Sequence, residues 1–260
     1  MKVVILCGGQ GMRLREETEF KPKPMVTIGD HPILWHIMKI YASYGYKEFI
    51  LCLGYKGEVI KDYFLNYAKM NSSFTISLSG KRGIIFHNSH HQEDWSVTLA
   101  DTGQSSMTGA RLKKVAHFIE GDSFFMTYGD GVSNVNITDL LSFHKSHGKA
   151  ATVTGTLPPS RFGDLEVDDN AQVKSFSEKP QVHSGGIING GFFVLDKRVI
   201  DFIPDDDGCP FERQPMEDLA EAGELMLYKH DGFWQCMDTI RDRQLLNNLW
   251  KAGHPPWKVW

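Results

Sequence analysis

Residues 1–25 read MKVVILCGGQGMRLREETEFKPKPM, and the fold follows from how this stretch is parsed. Val3 to Cys7 is an apolar run of strand length, bounded abruptly by Gly8-Gly9-Gln10-Gly11. Arg13 comes next, and Lys23 follows between Pro22 and Pro24. Glycines let backbone N–H groups approach an anion because no Cβ intervenes. An Arg and a Lys beside such a loop add positive charge, so the end of the first strand is a candidate phosphate cradle. The spacing excludes two common phosphate loops: GxxxxGK[ST] is absent, and GxGxxG would need glycine at Leu14 or Met12. Taken singly, the glycines also suit a tight strand-to-helix turn, and Arg13 and Lys23 suit a solvated surface.

Composition narrows the partners. The chain has 260 residues, 41% hydrophobic and 23% charged, values typical of a globular protein with a substantial core. A formal net charge of −4 argues against a nucleic-acid partner held by phosphate neutralisation. Any nucleotide must then be gripped by local positive charge. Cys7, Cys52, Cys209 and Cys236 lie far apart, which favours buried free thiols over a disulfide framework or a zinc site. The chain enters its first strand at once, and no apolar run approaches 18 residues. The expectation is a cytoplasmic protein without a membrane partner.

Working outward from the first strand, helix and strand patterns alternate. In PILWHIMKIYASY, residues 32–44, Ile33, Ile37, Ile40 and Tyr41 share one helical face. EFILCL, residues 48–53, is a second strand, and 59–67 a short amphipathic helix. Such alternation predicts an α/β fold: a Rossmann-like, mainly parallel mixed sheet flanked by helices. Ligands of such sheets sit beyond the carboxyl ends of the strands. Between 71 and 98 the pattern breaks into short strands (74–78, 84–87 and 97–99), read as small antiparallel additions near an edge. A helix over about 109–119, a strand at 123–128, a helix at 137–147 and a strand at 151–156 follow. Beyond 158 the pattern is hairpin-like, then strands at 190–195 and within 229–238, and a terminal helix at 241–252. The expectation is a single domain over 1–260 with a peripheral C-terminal part from about 200.

Two further places carry chemistry. Asp130, in YGDGV after an apolar strand, is placed to hold a hard cation such as Mg²⁺, although a DG turn accounts for it equally. A metal needs a second carboxylate, and Asp238 in FWQCMDT is the candidate. Glu178-Lys179-Pro180 suits a second phosphate and sugar hydroxyls, or else a charged pair at a hairpin end. The histidines His87, His90 and His91 read as loop residues, Trp35 as core, and the tail PPWKVW as a packing or subunit contact. No Ser–His–Asp or Cys–His nucleophile set is apparent.

GGQGMRL together with KPKPMV resembles the signature of the sugar-1-phosphate nucleotidylyltransferases. Along the rest of the chain, REETEFKPKPMVTIGDHPILWHIM, DTGQSSMTGARL, YGDGV and PPWKVW are similar to the glucose-1-phosphate cytidylyltransferase branch. The chain departs from the thymidylyl and uridylyl pattern GGxGTRLxPxT at Met12 and Glu16. The resemblance implies transfer of a cytidylyl group from CTP to glucose 1-phosphate, with Mg²⁺ shared by Asp130 and Asp238. Arg13, Lys23, Asp130 and Asp238 would be catalytic. Leu6, Gly8, Gly9, Gly11, Met12, Arg13, Lys23, Ser105, Thr108, Arg111 and Gly129 would bind nucleotide. Gly163, Glu178, Lys179, Asn189, Gly190 and Gly191 would bind the sugar phosphate. It further implies a homo-oligomer, a hexamer among the candidates, with the nucleotide site near a subunit boundary.

Overall fold

The first strand, Val3–Leu6, is buried on both faces, which is why it carries no polar residue. Val3 and Ile5 enter one hydrophobic cluster, Val4 and Leu6 the other. Helix Ile33–Ser43 covers the first face with Ile33, Leu34, Ile37, Ile40 and Tyr41; helix Thr108–Val115 covers the second with Leu112 and Val115. The result is a three-layer sandwich whose middle layer is a seven-stranded sheet. The computed structural model describes residues 1–79, 83–87, 93–158, 164–167, 172–177 and 186–260.

Across the sheet the order is Leu225–His230, Ala151–Thr156, Ile188–Asp196, Ser123–Tyr128, Val3–Leu6, Glu48–Leu53 and Ser96–Asp101. Val3–Leu6 pairs in parallel with Glu48–Leu53 on one side and Ser123–Tyr128 on the other. Ile188–Asp196 runs antiparallel to both its neighbours. The mixed, mainly parallel sheet is therefore as expected.

Two strands correct the sequence reading. The run near 97–99 is Ser96–Asp101, which pairs in parallel with Glu48–Leu53 and forms an edge of the main sheet, not an antiparallel addition. Leu225–His230, which the sequence reading missed because the strand expected within 229–238 is Trp234–Cys236, forms the opposite edge in parallel with Ala151–Thr156. Both are edge strands, half-buried and mixed in polarity, so their apolar signal is weak. The small antiparallel ribbons expected elsewhere are present: Ser73–Ile76 with Ile84–His87, and Asp164–Val167 with Val173–Ser177.

The tail packs on its own chain. Trp257 is fully buried, stacks on Phe233 and donates to His36 Nδ1 at 3.4 Å, while Trp260 meets Trp35 edge to face. Cys7, Cys52, Cys209 and Cys236 are free thiols, the first three buried. No helix among the described residues is long and apolar enough to cross a membrane.

Candidate active site

At the carboxyl end of the first strand the chain turns through Gly8–Gly11 into a cleft of about 600 Å³. Gly8 is demanded by the protein itself: a Cβ there would lie 2.1 Å from the Arg111 guanidinium. Gly9 differs, because nothing lies within 4 Å of the Cβ it lacks. Its bareness leaves the backbone open to the cleft, as an approaching ligand requires. Gly11 adopts φ +63°, ψ 33°, turning the chain into the short helix Met12–Leu14 that carries Arg13. Leu6 and Met12 also line the cleft, Met12 at its exposed rim.

Lys23 is fixed by its prolines. Pro22 is extended, and Pro24 lies in the first turn of the short helix Lys23–Met25, which seats the Lys23 stem beneath the loop. Its ammonium lies between two carboxylates from distant parts of the chain, at 2.6 Å from Asp130 and in contact with Asp238. Arg13 reaches the other oxygen of Asp238 at 2.9 Å. The aspartates meet because Gly131–Ser133 and Trp234–Cys236 pair antiparallel, with Cys236 opposite Gly131, and Met237 N–H donates to the Asp130 carbonyl. Asp238 is then held by the start of the last helix. Thr239 and Asp242 form a capping box, and Asp242 also accepts the Asp238 N–H at 3.1 Å.

Charge sets the protonation states. Burial works against the Lys23 ammonium, but Asp130 and Asp238 outweigh it and hold its pKa above the ordinary value. For Asp238, burial alone would raise the carboxyl; Lys23 and Arg13 overcome this and hold it below the usual range. Cys236 beside it is pushed up to about 12 by burial and the neighbouring carboxylates, so it stays a thiol.

Opposite the glycine loop, the segment 104–108 lines the cleft with Gln104, Ser105, Ser106, Met107 and Thr108. Arg111 is buried and directs its donors inward. It bonds Leu53, Gly103, Gln104 and Gly8 carbonyls and the Thr102 hydroxyl at 2.7–3.3 Å. In this arrangement it ties the glycine loop to the 102–104 turn. Gly129 lies beside Asp130, its N–H on the Leu6 carbonyl.

At the start of the strand Ile188–Asp196, Asn189 Oδ1 accepts the Gly191 N–H at 2.8 Å, and the Gly190 carbonyl accepts from Trp234 Nε1 at 2.6 Å. Gly163, Glu178, Lys179, His90 and His91 lie outside the described residues. His87 belongs to the Ser73–Ile76/Ile84–His87 ribbon and bonds Thr75. Tyr128 and Gln104 line the cleft, and Glu212 hydrogen-bonds Tyr128 and Thr108 of its wall; all three escaped the sequence reading. Tyr128 stands one residue before the YGDGV glycine, a position from which it could have been found; Glu212 carries no local signal.

Among the described residues no group of three or more His, Cys, Asp or Glu side chains is gathered for a metal. The two carboxylates still fit Mg²⁺, which takes one or two carboxylates and completes its shell from water and substrate phosphates. They already share one cation, the Lys23 ammonium.

Comparison with known proteins identifies the family. Residues 2–242 match the nucleotidyl transferase family. A glucose-1-phosphate cytidylyltransferase of Salmonella typhi is 54% identical over the whole of both chains. A probable glucose-1-phosphate cytidylyltransferase of Bacillus subtilis is 47% identical, again over both full lengths. Among solved structures, HddC from Yersinia pseudotuberculosis superposes with a TM-score of 0.70 at 24% identity, covering 96% of this chain and 99% of that one, a likeness of fold. The chain belongs to the nucleotidyl transferase family, alongside the glucose-1-phosphate cytidylyltransferases.

Proposed function

We propose that the protein transfers the cytidylyl group of CTP to α-D-glucose 1-phosphate, giving CDP-glucose and pyrophosphate. The observation that carries the reaction class is the meeting of Arg13, Lys23, Asp130 and Asp238 at the end of the first strand. The choice of CTP and glucose 1-phosphate rests on the full-length likeness to cytidylyltransferases. A phosphate oxygen of the sugar phosphate attacks the α-phosphorus, a new P–O bond forms, and the bond to the β-phosphate breaks with its charge leaving on pyrophosphate. Such a reaction needs alignment and charge neutralisation, not a protein nucleophile.

In the ligand-free protein the cations and carboxylates neutralise one another. On substrate binding Lys23 turns to the α-phosphate and Arg13 to the pyrophosphate, where charge grows during reaction. Asp130 and Asp238 would hold Mg²⁺, which when bound supplies charge neutralisation for the phosphates. The backbone N–H groups of Gly8–Met12 serve the phosphates, and Ser105 and Thr108 the nucleoside. Arg111 supports that loop from behind. Lys179 is assigned to the phosphate of the sugar, with Gly163, Glu178, Asn189, Gly190 and Gly191 about the ring. A cytoplasmic location, and assembly of several copies with this cleft near a subunit boundary, belong to the same proposal. The Ser73–Ile76/Ile84–His87 ribbon supports the assembly: Phe74, Ile76, Ile84 and Phe86 pair across it yet remain 36–53% exposed. A lone two-stranded ribbon is marginal in water, so we assign its cover to a second copy of the chain.

Cytosine differs from uracil by a 4-amino donor and an N3 acceptor, so a matched pocket rejects UTP by leaving its own groups unpaired. Pyrophosphate release measured for CTP, UTP, dTTP and GTP against several sugar phosphates tests the proposal. CTP with glucose 1-phosphate is expected to exceed UTP and dTTP by at least ~100-fold in kcat/KM. Comparable rates with dTTP, or CTP turnover only with another acceptor, would overturn it.

A further inference from the structure

Glu212 lies just before the helix Gln214–Glu221 and takes no part in the reaction described above. Its two carboxylate oxygens accept from different hydroxyls: Oε2 from Thr108 at 2.5 Å, Oε1 from Tyr128 at 2.6 Å. The bonds continue on both sides. Thr108 Oγ1 accepts the Phe211 N–H at 2.8 Å, and Tyr128 Oη accepts from Asn189 Nδ2 at 3.3 Å. Asn189 Oδ1 in turn holds the Gly191 N–H at 2.8 Å. The chain of bonds thus runs from the first residue of helix Thr108–Val115 to the start of strand Ile188–Asp196, which carries Asn189–Gly191. Thr108 and Tyr128 both line the cleft, and Asn189 stands behind Tyr128.

A hydroxyl has one proton, and an ionised carboxylate only accepts. Both protons are therefore committed to Glu212, a charge-assisted arrangement stronger than a neutral pair. Burial, reinforced by the Glu212 charge, keeps the Tyr128 proton in place well beyond the ordinary tyrosine range. Toward the cleft these two oxygens have lone pairs to offer and no proton. Phosphate oxygens gain nothing there, whereas hydroxyl and amino groups do. The cleft is divided: N–H groups and cations at the glycine-loop end, accepting oxygens on the Thr108–Tyr128 wall.

We infer that Glu212 is a positioning residue that turns the Thr108 and Tyr128 hydroxyls into acceptors for substrate O–H and N–H groups and links the nucleotide half of the cleft to the sugar half. The inference rests on the proposed division into those two halves. Because the two hydroxyls share one carboxylate, a ligand that orders one half also orders the other, which is a reciprocal coupling.

Four substitutions, singly and combined, test this in the full-length protein. Glu212→Gln keeps the shape but sets an NH₂ group against one hydroxyl, whose proton must then turn into the cleft. It is expected to raise the KM of at least one substrate about tenfold, the worth of one good hydrogen bond, with kcat and the melting temperature nearly native. Thr108→Val and Asn189→Ala are then combined. Their losses in kcat/KM should be non-multiplicative in the native background, by about threefold or more, and multiply independently in Glu212→Ala. CTP alone binds without reacting, so its Kd by calorimetry supplies an arm that needs no turnover. If the wild-type protein releases no pyrophosphate from CTP and glucose 1-phosphate, the proposed reaction fails, while the calorimetric arm still tests Glu212. Native KM values and a native CTP Kd in Glu212→Gln, or independent Thr108 and Asn189 losses in the native background, would overturn the inference; so would a fall in melting temperature with no change in KM.

Discussion

Replacing Lys23 by Met removes the ammonium and keeps most of the buried stem. Asp130 and Asp238 then face each other with Arg13 as the remaining partner, and Arg13 is 72% exposed on its side chain and weak for that reason. Removing one partner of a buried ion pair costs about 3–5 kcal/mol because the other charge is left uncompensated. Asp238 is 13% exposed and Asp130 32%, so the lower end, about 3 kcal/mol, is the expected loss. For a chain of this size that lowers Tm by about 6–12 °C. The variant opens the position between the carboxylates, so Mg²⁺ or Mn²⁺ without nucleotide should now bind there. At a hundredfold excess over Kd the ion returns about 2.7 kcal/mol, nearly the whole loss. In the wild-type protein the ion must first displace the ammonium, and Tm should stay within about 1 °C over the same titration. Scanning calorimetry with and without metal reads both effects, and Asp130→Asn added to Lys23→Met should abolish the metal response. The reasoning is refuted if Lys23→Met melts at the wild-type temperature, or if metal alone raises the wild-type Tm as much as that of the variant.

Phe74→Ser with Phe86→Ser should lower the mass found by light scattering toward that of one chain while leaving far-ultraviolet circular dichroism unchanged; an unaltered mass would free the ribbon of any role in assembly. Two buried histidines should make the fold acid-sensitive. Burial holds His36 and His144 at about 4, below their unfolded value, so between pH 6.5 and 4 the unfolded chain takes up protons that the folded chain refuses. Stability is therefore complete above about pH 6.5 and falls as the solution is acidified, by about 2 kcal/mol for each histidine between pH 7 and 5. Urea unfolding at the two pH values measures it, and a flat profile would contradict the neutral state that burial gives these rings.

What could be read from the sequence is what neighbouring residues decide among themselves. The apolar run Val3–Leu6, the glycines behind it and the prolines about Lys23 impose their conformations locally, and helix Ile33–Ser43 announces itself by a buried stripe of period 3.6. Even the capping box of Thr239 and Asp242 is a four-residue pattern. Edge strands were less legible, since half their residues face solvent: Ser96–Asp101 and Leu225–His230 take their parallel register from a neighbour, not from their own periodicity. The active centre belongs to the tertiary structure. Lys23 finds Asp130 and Asp238 across 107 and 215 residues, through the pairing of two three-residue strands that no local rule would join. Arg111 looked like a ligand-binding cation, yet burial among carbonyl oxygens consumes its donors, because a guanidinium taken from water must be satisfied where it lands. Glu212 is silent in sequence for the same reason: a carboxylate acquires meaning only from the hydroxyls that folding brings to it.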